Sequence, residues 1–247
     1  MAENPETIRR QVAIAGRVID ESTKLPISRA HVRLTDGPPA FVQPMVARAK
    51  LMPLNQAPSE VAQAYGDLDK AGIGNAEKLR AAQIVLDYHL RTRGAAFAVD
   101  RPDQTGTAAD GHFHFLDLPD GDYAVTASLP EAGSRYGTAE VKNRSVSRDG
   151  DGRIAWAWTG MKVPPTTIGG KVTNQSAAPV KLASVRVKGS GENALSDDTG
   201  EYRLSALEVG SRTVSASAPG LKADPKIIEL DEAGKKQVVD IAMTPAN

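Results

Sequence analysis

Cysteine is absent from this 247-residue sequence, which excludes disulfide staples and thiolate metal sites and disfavours a small secreted fold held by cross-links. Aromatic residues are scarce, at 4% of the chain with two tryptophans, so few side chains can dominate a core by size alone. An excess of one charge is also missing, because 30 Lys and Arg balance 30 Asp and Glu. That balance gives no overall pull toward nucleic acid or an anionic membrane. No run approaches the roughly 18 apolar residues of a membrane span, and Met1 to Gly16 holds no apolar stretch of the leader type ahead of the first strand pattern. These absences predict a location in the cytoplasm or in a released particle. A chain whose leader had been removed would look the same.

What is present is a repeat. From Thr107 to Val125 the chain reads TAADGHFHFLDLPDGDYAV, and from Leu195 to Val214 it reads LSDDTGEYRLSALEVGSRTV. Each stretch has a polar turn ending in Gly (Gly111, Gly200), an alternating strand (Phe113 and Phe115; Tyr202 and Leu204), and a Leu ahead of a second Gly turn. Period-two alternation buries one face of a strand, so each copy is a β-hairpin. Gly111 to Gly200 and Gly121 to Gly210 are offsets of 89, whereas Pro26 to Pro179, Ala30 to Ala183 and Val32 to Val185 are offsets of 153. The first copy therefore carries 153 less 89, or 64, additional residues between Val32 and Gly111. Several positions keeping register point to duplication.

In chain order, Gln11 to Asp20 places Val12, Ile14, Gly16 and Val18 on one face of a first strand, and Arg29 to Leu34 alternates through Ala30, Val32 and Leu34. Pro38, Pro39, Pro44 and Pro53 then interrupt strand pairing and break up the stretch they occupy. Val61, Ala64, Tyr65 and Leu68 have the spacing of a short helix between Pro58 and Gly72. A longer helix starts with Asn75 as N-cap and Glu77 in its first turn, carries the stripe Leu79, Ala82, Leu86, Leu90, and stops at Gly94. This helical insertion spans about residues 38–94. Its stripe has two readings, packing on its own sandwich or docking a partner protein. For docking, the contact residues are Tyr65, Leu68, Leu79, Leu86 and Leu90. A strand then begins within Ala95 to Val99, and after the hairpin another runs from Ala139 to Val146. Ile154, Trp156 and Trp158 share one face of a further strand, where both tryptophans help to close the first core. Val163 to Thr167, VPPTT, is a stiff linker, and seven short strands lie between it and Met243. The fold class is all-β: two seven-stranded sandwiches in tandem, residues 1–164 and 165–247.

Candidate chemistry is thin. His112 and His114 point to one face, as a metal pair requires, with Asp110, Asp117 or His31 as a third ligand. Solvated strand histidines are the simpler reading, so no metal and no cofactor is expected. DGDG at Asp149 to Gly152 lacks the further oxygen ligands and closing Glu of a calcium loop. His31 and His89 lack the downstream Glu of an H-x-x-E zinc pair, and no G-x-S-x-G, P-loop or cysteine nucleophile is present.

The runs AGRVIDESTKLPISRAHVRL and TAADGHFHFLDLPDGDYAV, and again GGKVTNQSAAPVKLASVRV with SDDTGEYRLSALEVGSRTV, resemble the carboxypeptidase regulatory-like domain, a transthyretin-like sandwich related to Cna-B modules. The departures are Arg212, where Tyr123 keeps the usual aromatic, and the insertion. The resemblance implies a non-enzymatic structural or adaptor protein that contacts other proteins of a larger assembly. The arrangement also resembles accessory proteins of contractile, phage-tail-like injection particles. Neither nucleic acid, membrane insertion nor a small-molecule substrate is implied. In Cna-B modules Lys to Asn or Asp isopeptide bonds occur with a buried Glu assisting; Lys171 and Asp240 invite that comparison, but RTVSAS and YAVTAS supply no Glu. The rival reading is a carbohydrate-binding or adhesive surface module, which places aromatics in the open.

Overall fold

Period-two burial organises the strands, and two sets of sheets result. In the computed structural model, which describes residues 10–93 and 100–246, the first unit comprises Met1–Val18, Ser28–Ala127 and Glu140–Met161. Its strands are β1 (Val12–Asp20), β2 (His31–Asp36), β3 (Gln104–Gly106), β4 (His112–Leu116), β5 (Gly121–Ser128), β6 (Ala139–Arg148), β7 (Ile154–Ala155) and β8 (Ala157–Val163). They form a sheet in the order β4-β1-β8 and another in the order β3-β2-β5-β6-β7. Ile14, Val18, Leu34, Phe113, Phe115, Val125 and Met161 are buried in this unit. Val12 departs from the expected face: a register shift between Val12 and Ile14 leaves Val12 exposed and brings Ala13 inside. The strand expected within Ala95 to Val99 lies outside the described residues.

The second unit comprises Ile19–Ile27, Ser128–Ala139 and Lys162–Asn247. Its strands are β9 (Thr167–Thr173), β10 (Ser184–Val187), β11 (Asn193–Leu195), β12 (Glu201–Ser205), β13 (Gly210–Ala218), β14 (Leu221–Lys222), β15 (Lys226–Leu230), β16 (Lys236–Val238), β17 (Ile241–Ala242) and β18 (Thr244–Pro245). One sheet runs β12-β9-β16 with β17 also on β9, and the other runs β11-β10-β13-β14-β18 with β15 also on β13. The expected hairpins are therefore not formed: β4 and β12 pair with β1 and β9, while β5 and β13, beyond the glycine turn, cross to the other sheet of their unit. Ile168, Val172, Val185, Tyr202, Leu204, Val214 and Ile241 belong to its core.

Hydrogen bonds repeat from one unit to the other. The Ala30 N–H donates to Thr107 Oγ1 at 2.8 Å, and the Ala183 N–H donates to Ser196 Oγ at 2.9 Å. Gly16 sits opposite Phe113 and Gly170 opposite Tyr202. A Cβ on Gly16 would lie 2.1 Å from the Thr159 carbonyl oxygen, and one on Gly170 would lie 2.2 Å from that of Val239. Both positions therefore need glycine for close backbone approach. Arg212 fills the role of Tyr123: the Tyr123 hydroxyl donates to the Pro119 carbonyl at 2.8 Å, and Arg212 Nε donates to the Glu208 carbonyl at 2.9 Å. A guanidinium can thus replace the phenol because the acceptor is a backbone oxygen within reach of either.

Three helices lie between β2 and β3: α1 (Pro39–Lys50), α2 (Ser59–Asp67) and α3 (Asn75–Arg93). The first corrects the expectation that the prolines break up this stretch. Pro39 occupies the helix start, where its missing N–H costs nothing. Pro44 sits inside the helix on the exposed side, as does Ala40, whose carbonyl loses its intrahelical donor but meets water. The apolar stripe Phe41, Val42, Met45, Ala49 is buried and holds the helix in place. Asn75 is not the cap of α3. Gly74 precedes the helix, its N–H donating to Glu77 Oε2 at 2.6 Å, while Asn75 Nδ2 donates to the Gly37 carbonyl at 3.1 Å.

Candidate functional site

The insertion is the segment with most to explain, and its own packing sets what it can offer a partner. Helix α3 runs antiparallel to β2, since Asn75 bonds Gly37, Gln83 bonds the Leu34 carbonyl at 2.8 Å, and Asp87 pairs with Arg33 at 2.6 Å. Behind that line lies a buried ionic cluster. Asp103 is fully buried and accepts from Arg101 Nε at 2.7 Å, Arg101 Nη2 at 2.8 Å and Gln83 Nε2 at 2.9 Å. Arg101 Nη1 also donates to Asp87 at 2.6 Å. Burial by itself would raise the Asp87 pKa, but the hydrogen bonds from Arg101 and Arg33, with their charges, outweigh it and hold the carboxyl below its ordinary range. For Arg101, burial lowers and the carboxylates of Asp103 and Asp87 raise the pKa, with a net rise. These groups bind one another and fasten the helix to the sheet. Sequence periodicity passes over them, although Leu79, Gln83 and Asp87, spaced by four, put two polar groups on a mostly apolar helix face.

The proposed docking residues lie mostly within this packing. Leu79 and Leu86 are fully buried and Leu68 nearly so, while Tyr65 and Leu90 are half-buried. The Tyr65 hydroxyl donates to the Lys50 carbonyl at 3.0 Å. On the other side of the insertion, the Phe41 ring meets Tyr123 edge to face at 5.5 Å. The apolar stripe is therefore taken up within the chain, where α3 packs on α1 and α2 as well as on β2, with roughly 1.5–3 kcal/mol for each fully buried large side chain. What the insertion leaves in the open is polar or small, including Glu60, Ala62 and Gln63 on α2, together with Leu51 after α1.

Strand β4 sends Phe113 and Phe115 inward and His112 and His114 outward. His112 Nδ1 lies 2.9 Å from Asp110 Oδ2, and the His31 ring meets Gln104 instead, at 3.1 Å. Among the described residues no group of three His, Cys, Asp or Glu side chains is placed to hold a metal ion. The tryptophans overturn their expected place. Strand β8 buries Thr159, Met161 and Val163, so the inner face is one position away from Trp158, and a break between β7 and β8 falls at Trp156. Trp156 is 58% exposed and Trp158 49%. Their rings meet at 6.3 Å and 78°, and His112 lies against Trp158 at 5.7 Å and 59°.

Asp149 Oδ1 accepts from the N–H groups of Asp151 and Arg153 at 3.0 and 2.9 Å, a self-contained turn in which Gly152 takes φ of 76°. In the second unit, Asp240 Oδ1 accepts the Lys171 backbone N–H at 2.8 Å while Lys171 Nζ faces Glu201 at 3.7 Å, so the lysine side chain points to a different partner. Among the described residues no helix is long and apolar enough to cross a membrane.

Residues 167–244, about a third of the chain, match the carboxypeptidase regulatory-like domain. No curated protein sequence matches the chain. Among solved structures, shaft pilin SpaA from Lactobacillus rhamnosus GG is similar at 10% identity over 97% of this chain and 99% of that one, with a TM-score of 0.35. The Bacillus anthracis TIE protein is similar at 12% identity over 94% of this chain and 34% of that one, with a TM-score of 0.31. A type II cohesin–X-dockerin complex from Acetivibrio cellulolyticus is similar at 15% identity over 32% of this chain, with a TM-score of 0.27, and the match spans 58% of that chain's length. With TM-scores this low, none of the three bears on function. The fold class is mostly β with sandwich-like sheets, and one carboxypeptidase regulatory-like domain is present.

Proposed function

We propose that this chain is a non-enzymatic structural or adhesive module that works by contact with other proteins, built from two carboxypeptidase regulatory-like sandwiches of which the first carries a helical insertion. The match over residues 167–244 carries the reading, because the domain matched is regulatory-like by name and not a peptidase domain. The duplication is supported by recurring contacts: Thr107 and Ser196 accept equivalent backbone N–H groups, and Tyr123 and Arg212 donate to equivalent carbonyls. Ile19 bridges Pro26 and Thr173 bridges Pro179, so the turn between is one residue shorter in the second copy of the repeat. A setting in a contractile particle finds no support in the fold or the matches and is not part of the proposal.

The contact surface assigned to the insertion is the exposed side of α2, since Leu68, Leu79 and Leu86 are spent on internal packing. The test is size-exclusion chromatography of the full chain with the proteins encoded beside it, repeated with Ala62→Arg and Gln63→Arg. A complex lost in the variants, with helical signal at 222 nm unchanged, supports the reading. A complex that ignores them moves the contact away from α2, and no complex with any of those proteins overturns the adaptor role.

A further inference from the structure

Both tryptophans of the chain lie on the surface of the first unit, although Phe113, Phe115, Tyr123 and Tyr202 are all buried. Large aromatics are the side chains that gain most from burial. A chain with so few of them that sets both indoles outside has a surface to explain. The rings are also held. Trp156 and Trp158 stand nearly at right angles, and His112, from the opposite edge strand of the same sheet, leans on Trp158. Asp110 holds His112 Nδ1, so the carboxylate engages that nitrogen and not Nε2. Around the trio the strand positions are small or polar: Ala15 and Arg17 on β1, His114 on β4, Gly160 on β8.

We propose that Trp156, Trp158 and His112 form a binding platform for a neutral saccharide, with a pyranose ring lying against an indole and its hydroxyls meeting His112 and Arg17. Three features of the surface select this occupant. A six-membered sugar ring has one face of C–H groups and a polar rim, which matches an indole face bordered by hydrogen-bonding side chains. A proline-rich peptide repeats about every 9 Å along its helix, longer than the 5.7 and 6.3 Å between these rings. A second copy of the chain would need roughly 800 Å² of complementary surface, whereas the apolar contact here ends at three rings with small or charged neighbours. The inference goes beyond the protein-contact reading and does not depend on it.

The test uses the full chain and follows tryptophan emission during titration with chitohexaose, cellohexaose and maltohexaose, with decaproline alongside. Saturable quenching or a blue shift with at least one hexasaccharide is expected. Trp158→Ala should weaken that binding at least tenfold and His112→Ala severalfold, with the melting temperature of each variant unchanged. Trp158→Phe, which keeps a smaller ring, should retain part of the affinity. No response to any hexasaccharide, binding that Trp158→Ala leaves intact, or a response to decaproline alone overturns the proposal.

Discussion

Replacing Asp103 by Ala tests whether the insertion is fastened by buried charge. The side chain is fully buried and accepts three hydrogen bonds, two from Arg101 and one from Gln83. Its removal leaves Arg101, only 6% exposed, with Asp87 as its remaining carboxylate, and leaves two guanidinium donors unmatched away from water. Breaking a buried pair from one side costs about 3–5 kcal/mol. For a unit of this size that corresponds to a melting temperature lower by roughly 6–20 °C. Among the described residues all three α-helices belong to the first unit, so circular dichroism at 222 nm during urea or thermal unfolding follows chiefly this unit. Asp69→Ala is the matched control, because its ion pair with Lys50 is solvent-exposed and such a pair contributes about 0.2–1 kcal/mol. If Asp103→Ala costs no more than Asp69→Ala, the cluster is not what holds α3 to the sheet.

Two further outcomes rest on the same geometry. Gly16→Ala and Gly170→Ala place a methyl group about where a neighbouring carbonyl oxygen already sits, so each should destabilise its unit by at least 1–3 kcal/mol in a thermal melt; Gly150→Ala, with open space around it, should stay within about 0.5 kcal/mol. Asp87 has a folded pKa below its ordinary 3.8, so its contribution is present above that pH and is lost as pH falls through the lower folded value. Asp87→Asn should therefore be less stable at neutral pH and lose less on acidification below about pH 4; urea midpoints that fall in parallel for both proteins would refute this.

The alternating strands and the glycine turns are legible in the chain because strand alternation and turn chemistry are local properties, and the offset of 64 residues because the repeat keeps register; the hairpin pairing is not, since the strands on either side of each turn join different sheets. The helical character of residues 59–93 is legible too, written in a spacing of three and four. Helix α1 is not, because prolines read as breakers until the structure shows one at the helix start and one facing water. The ionic cluster escapes for another reason: Arg33, Asp87 and the neighbours Arg101 and Asp103 come from three separate stretches of the sequence, and nothing local says that these four charges will meet.

The amino-acid order alone determined the alternating strands, which depend on neighbours within a few residues, and the place of the insertion, which follows from the register that the two copies keep on either side of it. Tertiary structure alone decided which way the tryptophans face and what the insertion's apolar stripe touches. A single residue's slip in register turns a strand's side chains from core to solvent, and Trp158 sits one step from Thr159 on the buried face of β8. Which side of that step a residue occupies is set by the strand next to it.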